Sequence, residues 1–328
     1  MRQMQKSLGG FRAALLIGWI LLSAAGLIYA RVKGIPTWAA LPVLAAFLLE
    51  YSFYLVPGFE SAREWLAAEA AEPVFGLLLG ATALLPYLVY SVPTHQFGWL
   101  ALARLAALTF TASLWFLILP RSPWFDLLYL LLVATVILRR FFDLIYTPPT
   151  PGLRIEVLGQ LALIHIAALA IPLERRVSSA GFGFLPSRRD WSVGLRYFLL
   201  FLPVGFPLAV LLHVIRFTPG GFVWWKALGT FIAMLWVVSL SEEFFFRGLL
   251  QNWLHEWSGS STAALLSAST VFGLCHLWFR TFPNWRMALL AGIAGCFYGR
   301  AFQRAGSIRA GMVTHALVVT VWKSVFLL

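Results

Sequence analysis

Apolar runs long enough to cross a bilayer follow one another along nearly the whole chain: 11–30, 37–56, 73–92, 97–119, 124–139, 155–173, 194–215, 223–245, 261–280, 286–303 and 308–327. A transmembrane helix needs ~20 predominantly apolar residues. A transmembrane β-strand would instead alternate apolar and polar positions over about ten residues, and these runs are continuous. With 60% hydrophobic and 12% charged residues, the chain has about half the charge of a soluble globule. It is also far too apolar for a disordered polypeptide. The fold class read from sequence is therefore all-α, a polytopic transmembrane helix bundle of about 8–11 spans. The first run follows Met1-Arg2-Gln3-Met4-Gln5-Lys6, which is similar to a signal-peptide n-region. Its apolar stretch reaches from Phe11 to Ala30, so it reads as a retained first helix.

The net charge of +12, from 25 Lys and Arg against 13 Asp and Glu, would suggest a nucleic-acid partner in a soluble protein. Here the basic residues sit between apolar runs, as in Arg31 and Lys33, Arg139 and Arg140, Arg175 and Arg176, Arg188 and Arg189, or Arg300 and Arg304. That is how membrane proteins meet lipid headgroups, so the partner read from charge is membrane lipid and not nucleic acid. Arg2, Lys6 and Arg12 favour a cytoplasmic N-terminus. Cys275 and Cys296 lie inside apolar runs and suggest neither a disulfide framework nor a metal site.

The longest polar interval, ERRVSSAGFGFLPSRRDW from Glu174 to Trp191, contains Gly, Pro, Ser and four arginines. It divides the sequence into residues 1–173, helices of unassigned role, and 174–328. A second break is Thr147-Pro148-Pro149-Thr150-Pro151-Gly152. GxxxG spacing occurs at Gly76/Gly80 and Gly295/Gly299. It lets helices approach closely, within one chain or across a dimer.

An ionisable group inside a bilayer costs at least ~2.5–3.5 kcal/mol on insertion scales, so each one needs a reason. Glu50, Arg104, His165 and His213 show no patterned partner and read as structural or interfacial. The C-terminal set is patterned. Ser241-Glu242-Glu243-Phe244-Phe245-Phe246-Arg247-Gly248 closes the run 223–245 with two adjacent carboxylates. On a helix these point ~100° apart, so they cannot share one role. Glu243 and Arg247 are at i,i+4, the favourable order for an ion pair, which leaves Glu242 without a cation. A carboxylate placed so in an apolar setting is a candidate general base or acid. Two later runs each carry one histidine, in Phe272-Gly273-Leu274-Cys275-His276 and Met312-Val313-Thr314-His315-Ala316. Glu242, His276 and His315 could converge in a bundle core, holding a water or a metal ion.

These residues carry a resemblance. EEFFFRG, then FGLCH, then Gly292, Gly295, Tyr298, Arg300, Gly306 and Ser307 leading into His315, resembles the CPBP family of intramembrane proteases over roughly 181–328. That family includes the CAAX prenyl endopeptidases and bacterial homologues. Its pattern is EExxxR, FxxxH and HxxxN, matched here by Glu242, Glu243 and Arg247, by Phe272 and His276, and by His315. Where many members have Asn four residues after the last His, this chain has Val319, followed by Thr320. In the family that Asn is taken to bind the scissile carbonyl or its oxyanion.

The resemblance implies hydrolysis of a peptide bond in a membrane-associated or lipid-modified substrate, by a multi-pass protein of a bacterial cell membrane. Glu242 would deprotonate water, with His276 and His315 positioning the water or the oxyanion. Glu243, Arg247 and Phe272 would support them, and Thr320 would offer a local substitute for the missing Asn. It implies no cofactor. The alternative is a zinc enzyme on the same Glu242, His276 and His315, since two His and one Glu leave an open fourth position. His255-Glu256-Trp257-Ser258-Gly259 has Gly where HExxH requires its second His. Serine chemistry has no GxSxG to support it. A transporter or a non-catalytic relative of the same fold is the remaining class, because intramembrane Glu and His also mark proton relays; no inverted repeat favours it.

Overall fold

The structure, a computed structural model, describes residues 2–69, 72–174, 181–217 and 222–327. The Arg175–Arg176 pair lies outside them. The chain forms two compact units, residues 1–178 and 179–328.

The first unit contains α1 (Arg2–Lys33), α2 (Thr37–Leu55), α3 (Glu60–Glu69), α4 (Glu72–Thr82), α5 (Leu84–Ser91), α6 (Trp99–Ile118), α7 (Pro123–Leu138) and α8 (Val157–Leu173). Helix α4 lies along α6, and Gly76 and Gly80 make that approach possible: a Cβ on Gly76 would stand 2.7 Å from Leu114, one on Gly80 2.8 Å from Ser113 Oγ. The first GxxxG is thus used inside the chain.

Glu50 and His165, which show no partner in sequence, are each other's partner. Both are fully buried, and His165 Nδ1 stands 2.7 Å from Glu50 Oε1. The other imidazole nitrogen, Nε2, is 2.9 Å from Thr82 Oγ1, whose hydroxyl donates to Leu79 O at 2.6 Å. With its one proton given to Leu79, Thr82 must accept from His165 Nε2–H. One further proton therefore lies between Nδ1 and the carboxyl group. The pair is either imidazolium with carboxylate or imidazole with carboxylic acid, and it is neutral in both forms. Neutrality is what lets two ionisable side chains remain in an apolar core.

The second unit contains α9 (Arg188–Leu211), α10 (Trp224–Ser258), α11 (Ser261–Cys275), α12 (Trp285–Ala305) and α13 (Ile308–Val325), with a two-residue antiparallel pairing of Arg216–Phe217 and Phe326–Leu327. Helix α12 packs against α9, α11 and α13. Ser187 caps α9 reciprocally with Asp190, and Asp190 also takes Arg309 Nε at 3.3 Å, tying the start of α13 to the start of α9. At the α11–α12 crossing, a Cβ on Gly273 would stand 2.6 Å from Ala288 O, so only glycine permits this spacing.

Among the described residues seven helices are long and apolar enough to cross a membrane: Gly9–Lys33, Thr37–Gly58, Pro73–Ser91, Trp99–Ile118, Arg188–Leu211, Trp224–Ser258 and Ser261–Trp278. Pro123–Ile137 and Val157–Leu173 are shorter apolar helices. Helices α12 and α13 are not among the seven; Arg286, Arg300, Gln303 and Arg304 on α12 and Arg309, His315 and Lys323 on α13 lower their hydropathy. The chain is an integral, multi-pass, all-helical membrane protein.

One boundary differs from the sequence reading. The run 223–245 does not end at Glu242 and Glu243. Helix α10 continues to Ser258, with π-helical turns over Met234–Ser239 and Phe244–Gln251. His255 and Glu256 sit in its last turns and not in a connector. The charges do not stop the helix because most are matched inside the bundle. π-Turns are uncommon and concentrate at functional sites.

Candidate active site

Helix α10 brings Glu242, Glu243, Arg247 and Gln251 into the second unit, and α12 and α13 supply what they meet. Glu243 is fully buried and Arg247 nearly so, with Arg247 Nη1 3.2 Å from Glu243 Oε1. Arg247 Nη2 donates to Gly295 O at 3.0 Å, and one turn on Gln251 Nε2 donates to Gly299 O at 3.4 Å. The second GxxxG serves this ladder. A Cβ on Gly295 would stand 3.1 Å from Arg247 Nη2, and one on Gly299 2.6 Å from Gln251 Oε1. The guanidinium carbon also lies 4.6 Å from the Phe272 ring centroid and 5.4 Å from that of Tyr298. A desolvated cation between two aromatic faces, a carboxylate and a carbonyl is held in one position.

His315 reads both carboxylates of α10. Its Nδ1 is 3.0 Å from Glu243 Oε1, and its Nε2 is 3.8 Å from Glu242 Oε2. The Tyr298 ring stacks on the imidazole at 4.6 Å and 13°. Its neighbour Thr314 reaches Gly194 O at 2.9 Å, anchoring this turn of α13 to α9. Glu243 Oε1 accepts from Nδ1–H, so in the neutral imidazole Nε2 carries the lone pair facing Glu242. A gap of 3.8 Å is too long for a hydrogen bond and is the kind of separation in which a water is shared.

The two carboxylates are thus unequal. Glu243 is engaged by a guanidinium and an imidazole. Glu242 has a side chain 32% exposed, and its Oε2 makes no hydrogen bond among the described residues.

His276 sits where α11 passes into a short 3₁₀ turn, His276–Trp278. Its Nδ1 is 2.8 Å from Phe272 O, which leaves Nε2 uncommitted. Phe272 is the common neighbour of the set, with ring centroids 4.7 Å from His276 and 6.0 Å from His315. Both histidines line a cavity of ≈ 50 Å³ whose wall includes Phe272, Leu290, Tyr298, Val318, Val319 and Trp322. One water needs ~10–15 Å³ of such space, so the cavity holds a few. Glu242 is not on this wall; it meets the set through His315. Thr320 is also absent from the wall, while Val319 lines it. Among the described residues no three His, Cys, Asp or Glu side chains are grouped to hold a metal ion. A separate and larger cleft, lined by Arg196, His255, Arg300 and Arg304, contains none of the Glu/His set.

Sequence reasoning missed Gly311. A Cβ there would stand 2.6 Å from Glu243 Oε2, so the absence of a side chain on α13 makes room for the carboxylate on α10. It also missed Gln251, although its place one turn beyond Arg247 continues the stripe. Both signals are visible as spacing, glycine four residues before His315 and a polar residue at i+8 from Glu243, but become meaningful only when the helices are placed together.

No curated protein and no solved structure was found to match the chain. Residues 224–321 match the family model described as Type II CAAX prenyl endopeptidase Rce1-like. The matched segment holds Glu242, Glu243, Arg247, Phe272, His276 and His315, and the match supports the likeness of this part of the chain to the CPBP, CAAX-protease-like family.

Proposed function

We propose that the chain is a glutamic-type intramembrane endopeptidase in which Glu242 deprotonates a water for attack on a peptide bond. The substrate is a membrane-associated or lipid-modified protein, and the site of action is the cell membrane of a bacterium. The observation that carries the assignment is the inequality of the two carboxylates: Glu243 is fully buried and its Oε1 is shared by Arg247 and His315, while the Glu242 side chain is 32% exposed, makes no hydrogen bond among the described residues and stands 3.8 Å from His315 Nε2. A general base must have a lone pair within reach of water, and the partly exposed carboxylate of Glu242 is the one of the two that offers it.

In this reading Glu243 fixes the orientation and tautomer of His315, and Arg247 and Phe272 fix Glu243 and the two rings. His276, whose Nδ1–H donates to Phe272 O, presents the lone pair of Nε2 to the water. The reaction needs no metal ion. Comparison of membrane peptides from cells carrying the wild-type protein and Glu242→Gln tests the proposal: products present with the former disappear with the latter. Identical peptide profiles from the two would overturn it.

A further inference from the structure

Hydrolysis by the proposed route leaves one part unassigned. As water attacks, its oxygen bonds to the carbonyl carbon, its proton passes to Glu242, and the π pair moves onto the carbonyl oxygen. The oxyanion then collapses, the C–N bond breaks, and the proton on Glu242 goes to the departing amine. A donor aimed at that oxyanion is worth a factor of roughly 10²–10³ in rate. At position 319 the side chain is valine, which lines the cavity and donates nothing.

Helix α13 presents His315, Val318, Val319 and Trp322 to the cavity. They stand at i, i+3, i+4 and i+7, one face of a helix. Trp322 Nε1 is a buried atom with no hydrogen-bond partner among the described residues. An indole N–H can only donate, and leaving a buried donor unpaired costs about 1–3 kcal/mol. Helical side chains lean toward the N-terminus and cover the preceding turn, so an indole at 322 overlies the turn of 318 and 319. A buried, uncommitted donor on a residue that lines the cavity therefore belongs to the turn where a hydrogen-bonding side chain is missing. Thr320 Oγ1 is also buried and unpartnered, but Thr320 does not line the cavity.

We infer that the indole N–H of Trp322 is a catalytic donor that binds the scissile carbonyl oxygen as it becomes an oxyanion, in place of the side chain at 319. The inference rests on the proposed function. Tyr298, on the same wall and stacked on His315, is the competing donor.

The test uses the full chain in lipid nanodiscs and a synthetic peptide spanning the cleavage site found by the comparison with Glu242→Gln. Trp322→Phe is expected to lower kcat about 10²–10³-fold with little change in KM. Adding Val319→Asn to it is expected to recover at least roughly tenfold of that loss, a rescue that restored packing alone would not give. Because Trp322→Phe also changes shape, 3-benzothienylalanine at position 322 supplies the second variant: it keeps the bicyclic ring and lacks the N–H. It should lose kcat as Trp322→Phe does, at unchanged thermal stability. Full activity of the benzothienyl protein, loss without rescue by Val319→Asn, or loss in Tyr298→Phe or Thr320→Val with Trp322→Phe at the wild-type rate would each overturn the inference. If Glu242→Gln is inactive and the benzothienyl protein is fully active, only the Trp322 assignment falls. If Glu242→Gln cleaves at the wild-type rate, the Glu242 reading falls and takes this inference with it.

Discussion

Replacing Gly311 by alanine sets two effects of opposite sign against each other. In a helix interior the change normally stabilises by about 0.8–1.0 kcal/mol, because glycine loses more backbone freedom on folding. Here the added Cβ would stand 2.6 Å from Glu243 Oε2, 3.3 Å from its carboxyl carbon and 3.3 Å from Tyr298 O. Glu243 is fully buried and cannot withdraw without breaking its contacts to Arg247 at 3.2 Å and His315 at 3.0 Å. Overpacking of this kind costs about 1–3 kcal/mol, and each hydrogen bond to a charged group that is lost adds about 1.5–3 kcal/mol. The clash wins once one of these hydrogen bonds is lost, with a net loss of roughly 1.5–5 kcal/mol and a fall in cleavage rate as His315 leaves its position. Gly292→Ala on α12 is the control: its Cβ would meet Ser269 O at 3.5 Å, an ordinary contact, so this protein should be as stable as wild type or more so. The assay is equilibrium unfolding of the full chain in mixed micelles, with cleavage measured on the same samples. A Gly311→Ala protein as stable and active as Gly292→Ala would refute the argument that Glu243 is packed against α13 at that position.

Further outcomes follow from other contacts. Arg247→Met should destabilise by about 3–5 kcal/mol, because it leaves Glu243 charged and buried without its guanidinium; Arg247→Lys should fall in between, since an ammonium lacks the fork that serves Glu243 and Gly295 together, and unfolding of both proteins checks this. Glu50→Gln should be close to wild type in stability, as the amide can donate to His165 Nδ1, whereas Glu50→Ala should lose about 1–3 kcal/mol by orphaning that nitrogen; thermal unfolding of the two proteins separates them. Exhaustive chelation should leave cleavage unchanged and elemental analysis should find no stoichiometric metal; one zinc per chain, lost and restored together with activity, would contradict the metal-free proposal.

Much of the helical framework is legible in sequence because a bilayer imposes a length and an apolarity on whatever crosses it. The runs at 37–56, 97–119 and 155–173 correspond closely to α2, α6 and α8. What sequence cannot see is where a charge is neutralised. Glu242 and Glu243 read as the end of a helix, and α10 passes through them because Arg247 and His315 meet Glu243 inside the bundle. Glu50 and His165 read as unrelated, being 115 residues apart, yet they form one neutral pair. The candidate site was legible as motifs, since Glu243 and Arg247 are four apart on one helix. Its division of labour was not: that His315 touches Glu243 at 3.0 Å and stands off Glu242 at 3.8 Å depends on how α13 is set against α10. The position of Thr320 off the cavity wall follows from helical rotation, ~100° per residue, which places Val319 and Trp322 there instead.

The central claim is that Glu242, and not its better-connected neighbour, is the base. Its side chain makes no hydrogen bond among the described residues, so Glu242→Gln should fold as stably as wild type. The direct measurement is single-turnover cleavage of the identified membrane peptide by wild-type and Glu242→Gln proteins of matched thermal stability in the same bilayer. The account predicts that the substituted protein binds the peptide and does not cleave it. Cleavage by Glu242→Gln at the wild-type rate would contradict it.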